Sequence, residues 1–279
     1  MEWRNIILRI SVVVTTYNGK MHLEKQLLSL LQQERAPDEV LIFDDGSTDG
    51  TIELVQSFIR KNCLESWQFY VNAKRKGWKQ NFMEGLRKAA GDILFPCDQD
   101  DIWYPKKLAE MTAVMEQHPE IKLLACDYRV LYEPGALKAT VYKKTPAETQ
   151  GLITRYGFTR HFFMNPYPGC TYAVRRDFFD AVKELWFDGS PHDEFLWLMA
   201  AVQDGAWFYN RVLMDYVRYS DNASGVRYKD VALQKENLRY IHKQLCALQS
   251  FAAEHPDAVP VERCKMLAAA QIWCAKRQK

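Results

Sequence analysis

Three acidic clusters in the sequence place carboxylates where the chain changes direction. The first, Asp44-Asp45-Gly46-Ser47, follows the apolar run Val40 to Phe43. Asp and Gly favour turns on their own account. Asp45, Ser47, Asp49 and Gly50 also fit the opening of a calcium loop, but that loop needs Glu at its twelfth position, where Gln56 stands. It also follows a buried strand and not a helix, so calcium is rejected. The second cluster is Asp98-Gln99-Asp100-Asp101. Its carboxylates repel one another unless a positive group sits among them. Hard cations such as Mg²⁺ or Mn²⁺ take oxygen ligands and pair one or two carboxylates with phosphates. If the extended conformation persists, Asp98 and Asp100 share a side. Helix capping is the competing explanation, since Pro105 opens a helix just beyond. Capping accounts for one Asp better than for three, and spacing alone leaves both readings open. The third cluster, His192-Asp193-Glu194, opens the helical run FLWLMAA. A first-turn acidic cap explains it, and zinc would want a second His at helical spacing, which is absent.

These clusters fall between elements of regular spacing. Ile10 to Thr15, Val40 to Phe43, Trp67 to Val71, Ile93 to Cys97 and Leu123 to Tyr128 read as strands. Between them, Leu23, Leu27, Leu30 and Leu31, then Ile52, Val55, Phe58 and Ile59, recur at helical spacing. Asn81 to Ala90 is a helix closed by Gly91, and Pro105 opens another. Strands alternating with helices predict an α/β fold with a mostly parallel sheet covered on both faces. Ligands in such sheets sit beyond the carboxyl ends of the strands, where the first two acidic turns lie. From Tyr132 to Asn165 periodicity is weak, which suggests a loop or insertion. After Tyr228, Leu238, Ile241, Leu245, Leu248 and Ala252 mark a helix, and a second follows the Pro256–Pro260 break. We therefore expect a main domain over 1–228, divided into 1–130 and 131–228, and a helical extension over 229–279.

Charge and cysteine content remove several function classes. Lys plus Arg total 37 against 35 Asp plus Glu, and a net charge of +2 is too small for nucleic-acid binding by bulk charge. No stretch approaches the ~20 apolar residues of a membrane-spanning helix, and the N-terminal run, broken by Arg9, is a poor signal peptide. The 7 Cys form no C-x-x-C pair, which argues against a disulfide framework and for a reduced cytoplasmic compartment.

The blocks SVVVTTYNG, EVLIFDDGSTDGT, GDILFPCDQDDIWYPKKL, PGCTYAVRR, PHDEFLWLMAA and YVRYSDNASG, in this order over about residues 10–225, resemble the family-2 glycosyltransferases of the GT-A fold. The DQDDIW and HD forms are most similar to the rhamnosyltransferase-like branch that builds bacterial surface polysaccharide. The resemblance implies an inverting transferase that moves a sugar from a UDP- or dTDP-sugar to a hydroxyl of a glycan or lipid-linked acceptor. It implies that Thr15, Tyr17, Asp44 and Asp45 contact the nucleoside and that Lys76 or Lys79 meets phosphate. Asp98 and Asp100 would be the D-x-D element, Asp98 also facing the nucleotide and Asp100 being the better candidate for direct metal contact, with Mn²⁺ or Mg²⁺ as cofactor. Gly169, Cys170, Thr171, His192 and Trp103 would border the sugar or acceptor, and Asp193 would be the catalytic base. Work at the inner face of the cell membrane is implied in the same way. Many relatives read Y-R-x-H where this chain has Tyr216-Val217-Arg218-Tyr219, so Tyr219 replaces a His and Arg218 is the available phosphate partner.

Other readings stand beside these. A sugar nucleotidyltransferase would show a Gly-rich basic loop after the first strand, and TTYNGKMHLEKQ has one Gly. A non-catalytic scaffold would have lost an acid from the D-x-D or the base position, and none is lost. Trp78 and Trp103 suit a sugar wall or ordinary packing, and Phe162, Phe163 and Tyr167 suit an acceptor groove or the core. The helical seam after Tyr228 suits core packing or a homodimer. Lys276, Arg277 and Lys279 suit an anionic membrane surface or plain solvation. His22, His118, His161, His242 and His255 belong to no constellation and read as surface or structural residues.

Overall fold

The computed structural model describes residues 7–136, 149–159, 165, 167–219 and 231–277. His161, Phe162, Phe163, Asn222-Ala223-Ser224-Gly225 and Lys279 lie outside the described residues. The elements run β1 (Ile10–Thr16), α1 (Lys20–Leu31), β2 (Glu39–Asp44), α2 (Thr51–Lys61), β3 (Trp67–Val71), α3 (Trp78–Lys88) and β4 (Ile93–Cys97). They continue as β5 (Ile102–Trp103), α4 (Lys107–Gln117), β6 (Leu123–Tyr132), β7 (Ile153–Arg155), β8 (Tyr172–Arg175), α5 (Arg176–Val182), α6 (His192–Val202), β9 (Ala206–Arg218), α7 (Val231–Glu254) and α8 (Val261–Arg277).

All described strands join one sheet in the order β3-β2-β1-β4-β8-β6-β9-β5, with β7 pairing β9. β3, β2, β1 and β4 are mutually parallel. β8 enters antiparallel between β4 and β6, and β9 returns parallel to β6. The fold is the α/β arrangement that the spacing predicts, with helices on both faces. Strand alternation divides the apolar residues between the faces. Val13, Leu41 and Leu94 join one core, whereas Val12, Val14, Ile42 and Phe95 join the other.

Leu245, Leu248 and Phe251 of α7 and Leu267 and Cys274 of α8 belong to the same core as Phe195 and Trp197 of α6. Each such side chain contributes about 1.5–3 kcal/mol on burial. This seam is therefore a core contact of the chain itself. β7 lies in the stretch expected to be loop; its three residues pair with Trp207 to Tyr209 of β9.

Candidate active site

β1, β2 and β4 are parallel neighbours, so the turns after them share one edge of the sheet. Side chains lace these turns together. Gln99 accepts from the Tyr17 N–H at 2.9 Å and donates to the Tyr17 carbonyl at 3.2 Å. Asn18 N–H donates to Ser47 Oγ at 2.8 Å, and Thr48 N–H to Asn18 Oδ1 at 2.9 Å.

The first acidic pair divides its labour. Asp44 is fully buried, and its carboxylate accepts from Thr16 Oγ1, Gly46 N–H, Ser47 N–H and Ser47 Oγ at 2.6–3.0 Å. It holds a turn in which Gly46 adopts φ +82°. Asp45 accepts from Lys76 N–H at 2.7 Å and Gly77 N–H at 2.8 Å, so it ties the loop before α3 to β2. That loop carries Arg75, whose guanidinium lies 3.9 Å from the Tyr17 ring centroid and 3.9 Å from Asp45 Oδ2 while its side chain stays 64% exposed. Thr15, at the end of β1, is nearly buried. Arg75 is not among the residues the sequence singled out; its neighbours Lys76 and Lys79 are. Lys76 pairs with Glu84 at 2.5 Å, and Lys79 donates to the Gly189 carbonyl at 2.6 Å.

The second cluster departs from the alternation expected of it. β4 ends at Cys97 and residues 98–101 form a turn, so Asp98 and Asp100 do not share a strand face. Carboxylate oxygens of Asp98 and Asp101 instead lie with the Cys170 sulfur, all within 4.8 Å of one another. Asp101 is 1% exposed; its Oδ1 accepts from Val217 N–H at 3.2 Å, and the Cys170 thiol also hydrogen-bonds its carboxyl. Asp100 turns to the Tyr219 phenol, whose ring stacks on His22 with centroids 4.4 Å apart. His22 thus lies beside the cluster, although in sequence it belongs to no constellation, because α1 and the end of β9 meet only in three dimensions. Arg218 is buried close enough to Asp100 to favour its charged form.

The electrostatics follow from crowding. Burial, and then the charges of Asp100 and Asp193, push the Asp98 carboxyl up to about 7, against the Cys170 thiol and Lys107, which lower it. Asp101 is pushed well above the carboxylate range by burial and then by Asp100 and Asp98. Burial raises Asp100 too, against the Tyr219 hydrogen bond. Such a group of hard oxygen donors short of positive charge fits Mg²⁺ or Mn²⁺. Burial and the two aspartates hold the Cys170 thiol well above its ordinary range, so it acts as a neutral S–H.

Asp193 approaches this cluster from the start of α6. Its carboxyl is raised by burial and lowered by backbone donors, including Gly169, and by Lys79. Gly169 and Cys170, in the short turn before β8, therefore touch both acidic groups. Only glycine fits there, because a Cβ on Gly169 would lie 2.5 Å from His192 Nε2 and 3.0 Å from Asp193 Cβ. We expect Gly169→Ala to cost about 1–3 kcal/mol of stability through overpacking, read as a lower denaturation midpoint, with a loss of activity as α6 is displaced.

His192 is 3% exposed and stacked on Phe82 at 4.0 Å, with Trp78 edge-on at 6.0 Å. Burial lowers its pKa to about 3, so it stays neutral. Trp78 is 44% exposed and suits a sugar wall, whereas Trp103 is 2% exposed and packs near Phe95. Thr171 is also buried, donating to the Pro168 carbonyl at 2.7 Å. Trp103 and Thr171 thus support the site from behind. Glu194, beside Asp193, accepts from Tyr240 of α7 at 2.7 Å; Gln244 donates to Tyr240 and to Ser190. The expected helical extension is therefore bonded to the start of α6. A surface cavity of about 260 Å³ lined by Glu34, Tyr104, Lys106 and Arg211 contains none of these groups. Among the described residues, no helix is long and apolar enough to cross a membrane.

The family model Glycosyl transferase family 2 matches residues 11–179, which contain both acidic turns and the Gly169–Cys170 segment. The dTDP-rhamnosyl transferase RfbG of Shigella flexneri is 24% identical over 228 residues, 76% of this chain and 73% of that protein. The poly(ribitol-phosphate) beta-N-acetylglucosaminyltransferase TarS of Staphylococcus aureus is 30% identical over 155 residues, 55% of this chain but 26% of its own length. The structure of TarS 1-349 with UDP-GlcNAc matches at TM-score 0.65 and 19% identity, over 88% of this chain and 72% of that one. A mannosyltransferase from Pyrobaculum calidifontis with GDP-Man and Mn²⁺ matches at TM-score 0.56 and 18% identity, over 97% and 70%. The chain belongs to glycosyl transferase family 2 and is a glycosyltransferase of the GT-A fold.

Proposed function

We propose that this glycosyltransferase moves a sugar from a nucleoside diphosphate donor to a hydroxyl of a glycan or lipid-linked acceptor, with inversion, in bacterial surface polysaccharide synthesis. The observation that carries this reading is the approach of two acidic groups from different elements, Asp98 to Asp101 after β4 and Asp193 on α6, across the Gly169–Cys170 turn. Tyr17, Asp45 and Arg75, with Thr15 behind them, form the nucleoside end. Asp44 shapes that end and does not contact the base. The dTDP-linked donor in the name of RfbG and the UDP-GlcNAc bound to TarS support a UDP- or dTDP-sugar.

Asp98 and Asp100, both partly exposed, would hold the divalent cation, while the buried Asp101 braces the turn behind them. When bound, the cation offsets the charge that develops on the departing diphosphate. Arg75 is the exposed cation near the nucleoside end and is placed to meet phosphate, and Arg218 stands on the far side of Asp100. Asp193 takes the proton of the acceptor hydroxyl, for which its raised pKa suits it at neutral pH. One carboxylate opposite the leaving group implies a single displacement, with no carboxylate nucleophile. His192 remains neutral and, with Trp78, shapes the acceptor side.

Donor hydrolysis tests the stereochemistry without knowledge of the acceptor. With water as acceptor, NMR should first record the released sugar as the anomer opposite to the donor's. Initial release of the same anomer would contradict a single displacement.

A further inference from the structure

Lys107, the first residue of α4, is completely buried. Its Nζ donates to the Cys170 carbonyl at 2.5 Å and to Met214 Sδ at 3.2 Å, and lies 3.8 Å from the Trp103 ring centroid. A carbonyl, a thioether and a π face occupy its three N–H directions, and none of them is an anion. Burying an ammonium without a counter-charge costs several kcal/mol, so the offset must come from beyond its immediate contacts.

Its surroundings identify that offset. Cys170 gives Lys107 its carbonyl and places its sulfur within 4.8 Å of carboxylate oxygens of Asp98 and Asp101. The fields of both aspartates include Lys107 as a favourable charge. Asp101 is buried; Val217 N–H donates to its Oδ1 and the Cys170 thiol lowers its carboxyl, so these two neutral donors and the charge of Lys107 are what offset its burial. Among the described residues, a buried cation without an ion pair and a buried acidic turn thus meet across one residue.

We infer that Lys107 is the internal counter-cation of the Asp98–Asp101 turn, steadying the carboxylates before a metal arrives and limiting how tightly they then hold it. This rests on the reading of Asp98 as a metal ligand. Lys107 acts on the reaction through the aspartates and Cys170, so it is a positioning residue. A fixed positive charge behind the turn repels an incoming divalent ion. Neutralising it therefore strengthens metal binding, a sign that lost packing alone would not produce.

The test is Mn²⁺ binding by calorimetry or electron paramagnetic resonance, without nucleotide, on the full chain. Lys107→Met keeps length and apolar volume and removes the charge; the dissociation constant should tighten about tenfold. Met214→Leu disturbs the same contact but keeps the charge, and should stay within about twofold of wild type. If Lys107→Met does not fold, Lys107→Gln, which retains a donor but no charge, is read against the same expectation. An unchanged or weaker Mn²⁺ constant in the folded charge-free variant, with wild type binding normally, would overturn the counter-cation role and leave the metal reading intact. Absence of Mn²⁺ binding by wild type and all variants would overturn the metal reading and this inference together.

Discussion

Asp193→Asn is expected to lower sugar transfer by about 10²–10⁴-fold, the range that a positioned general base contributes, while donor affinity stays within about twofold. The asymmetry follows from the place of Asp193 at the start of α6, where it meets Gly169 and Lys79, away from the Tyr17, Asp45 and Arg75 contacts. Asn keeps the size of the side chain and still accepts through one oxygen, so the helix start should survive. The pH profile gives a second reading. A base works only when ionised, so the rate should fall with decreasing pH, through a midpoint displaced above the ordinary carboxylate range because burial raises the Asp193 pKa. That acid limb should vanish from whatever activity Asp193→Asn retains. His192, with a pKa near 3, adds no limb near neutrality. Equal losses of donor binding and transfer would make Asp193 a structural residue.

Asp98→Asn should remove most of the metal-dependent part of nucleoside diphosphate binding. Asp98 is the partly exposed acid that faces both Asp100 and Asp193. Even partners one step removed from a metal typically cost about 10–100-fold in affinity, so loss of a direct carboxylate should weaken Mn²⁺-dependent binding by at least about that much. Metal-free binding should change little. A matching series on Asp101→Asn should instead show lower stability, since Asp101 is buried beneath β9 and accepts from Val217 N–H. If Asp101 alone carried the metal dependence, the roles proposed for the two aspartates would be reversed.

The parallel half of the fold was legible because its signal is local. Ile10 to Thr15 and Ile93 to Cys97 are buried on both faces and read as continuous apolar runs. β7 was not legible: three half-exposed residues have no period of their own and become a strand only by pairing with β9. β9 runs from Ala206 to Arg218 with polar residues in it, and its register to β6 shifts near Asp127. Within the site, alternation misplaced Asp100 because the strand ends at Cys97, and a turn brings Asp98 to Asp101. Trp103 suited a sugar wall or ordinary packing equally, because sequence does not distinguish a buried ring from an exposed one at the end of a strand; at 2% exposure it packs. Lys107 and Tyr240 were invisible for a related reason. Each is an ordinary helical residue in sequence and gains its role from a partner, Cys170 or Glu194, more than 40 positions away.

The edge formed by β1, β2 and β4 is expected to hold a nucleoside diphosphate through the acidic turn and a divalent ion. Calorimetric titration of UDP, dTDP and GDP into the purified protein, with and without Mn²⁺, tests it directly. UDP or dTDP should bind, and Mn²⁺ should strengthen that binding by at least about tenfold, the loss expected when a metal's supporting groups are removed. No binding of any diphosphate, or binding indifferent to Mn²⁺, would contradict it.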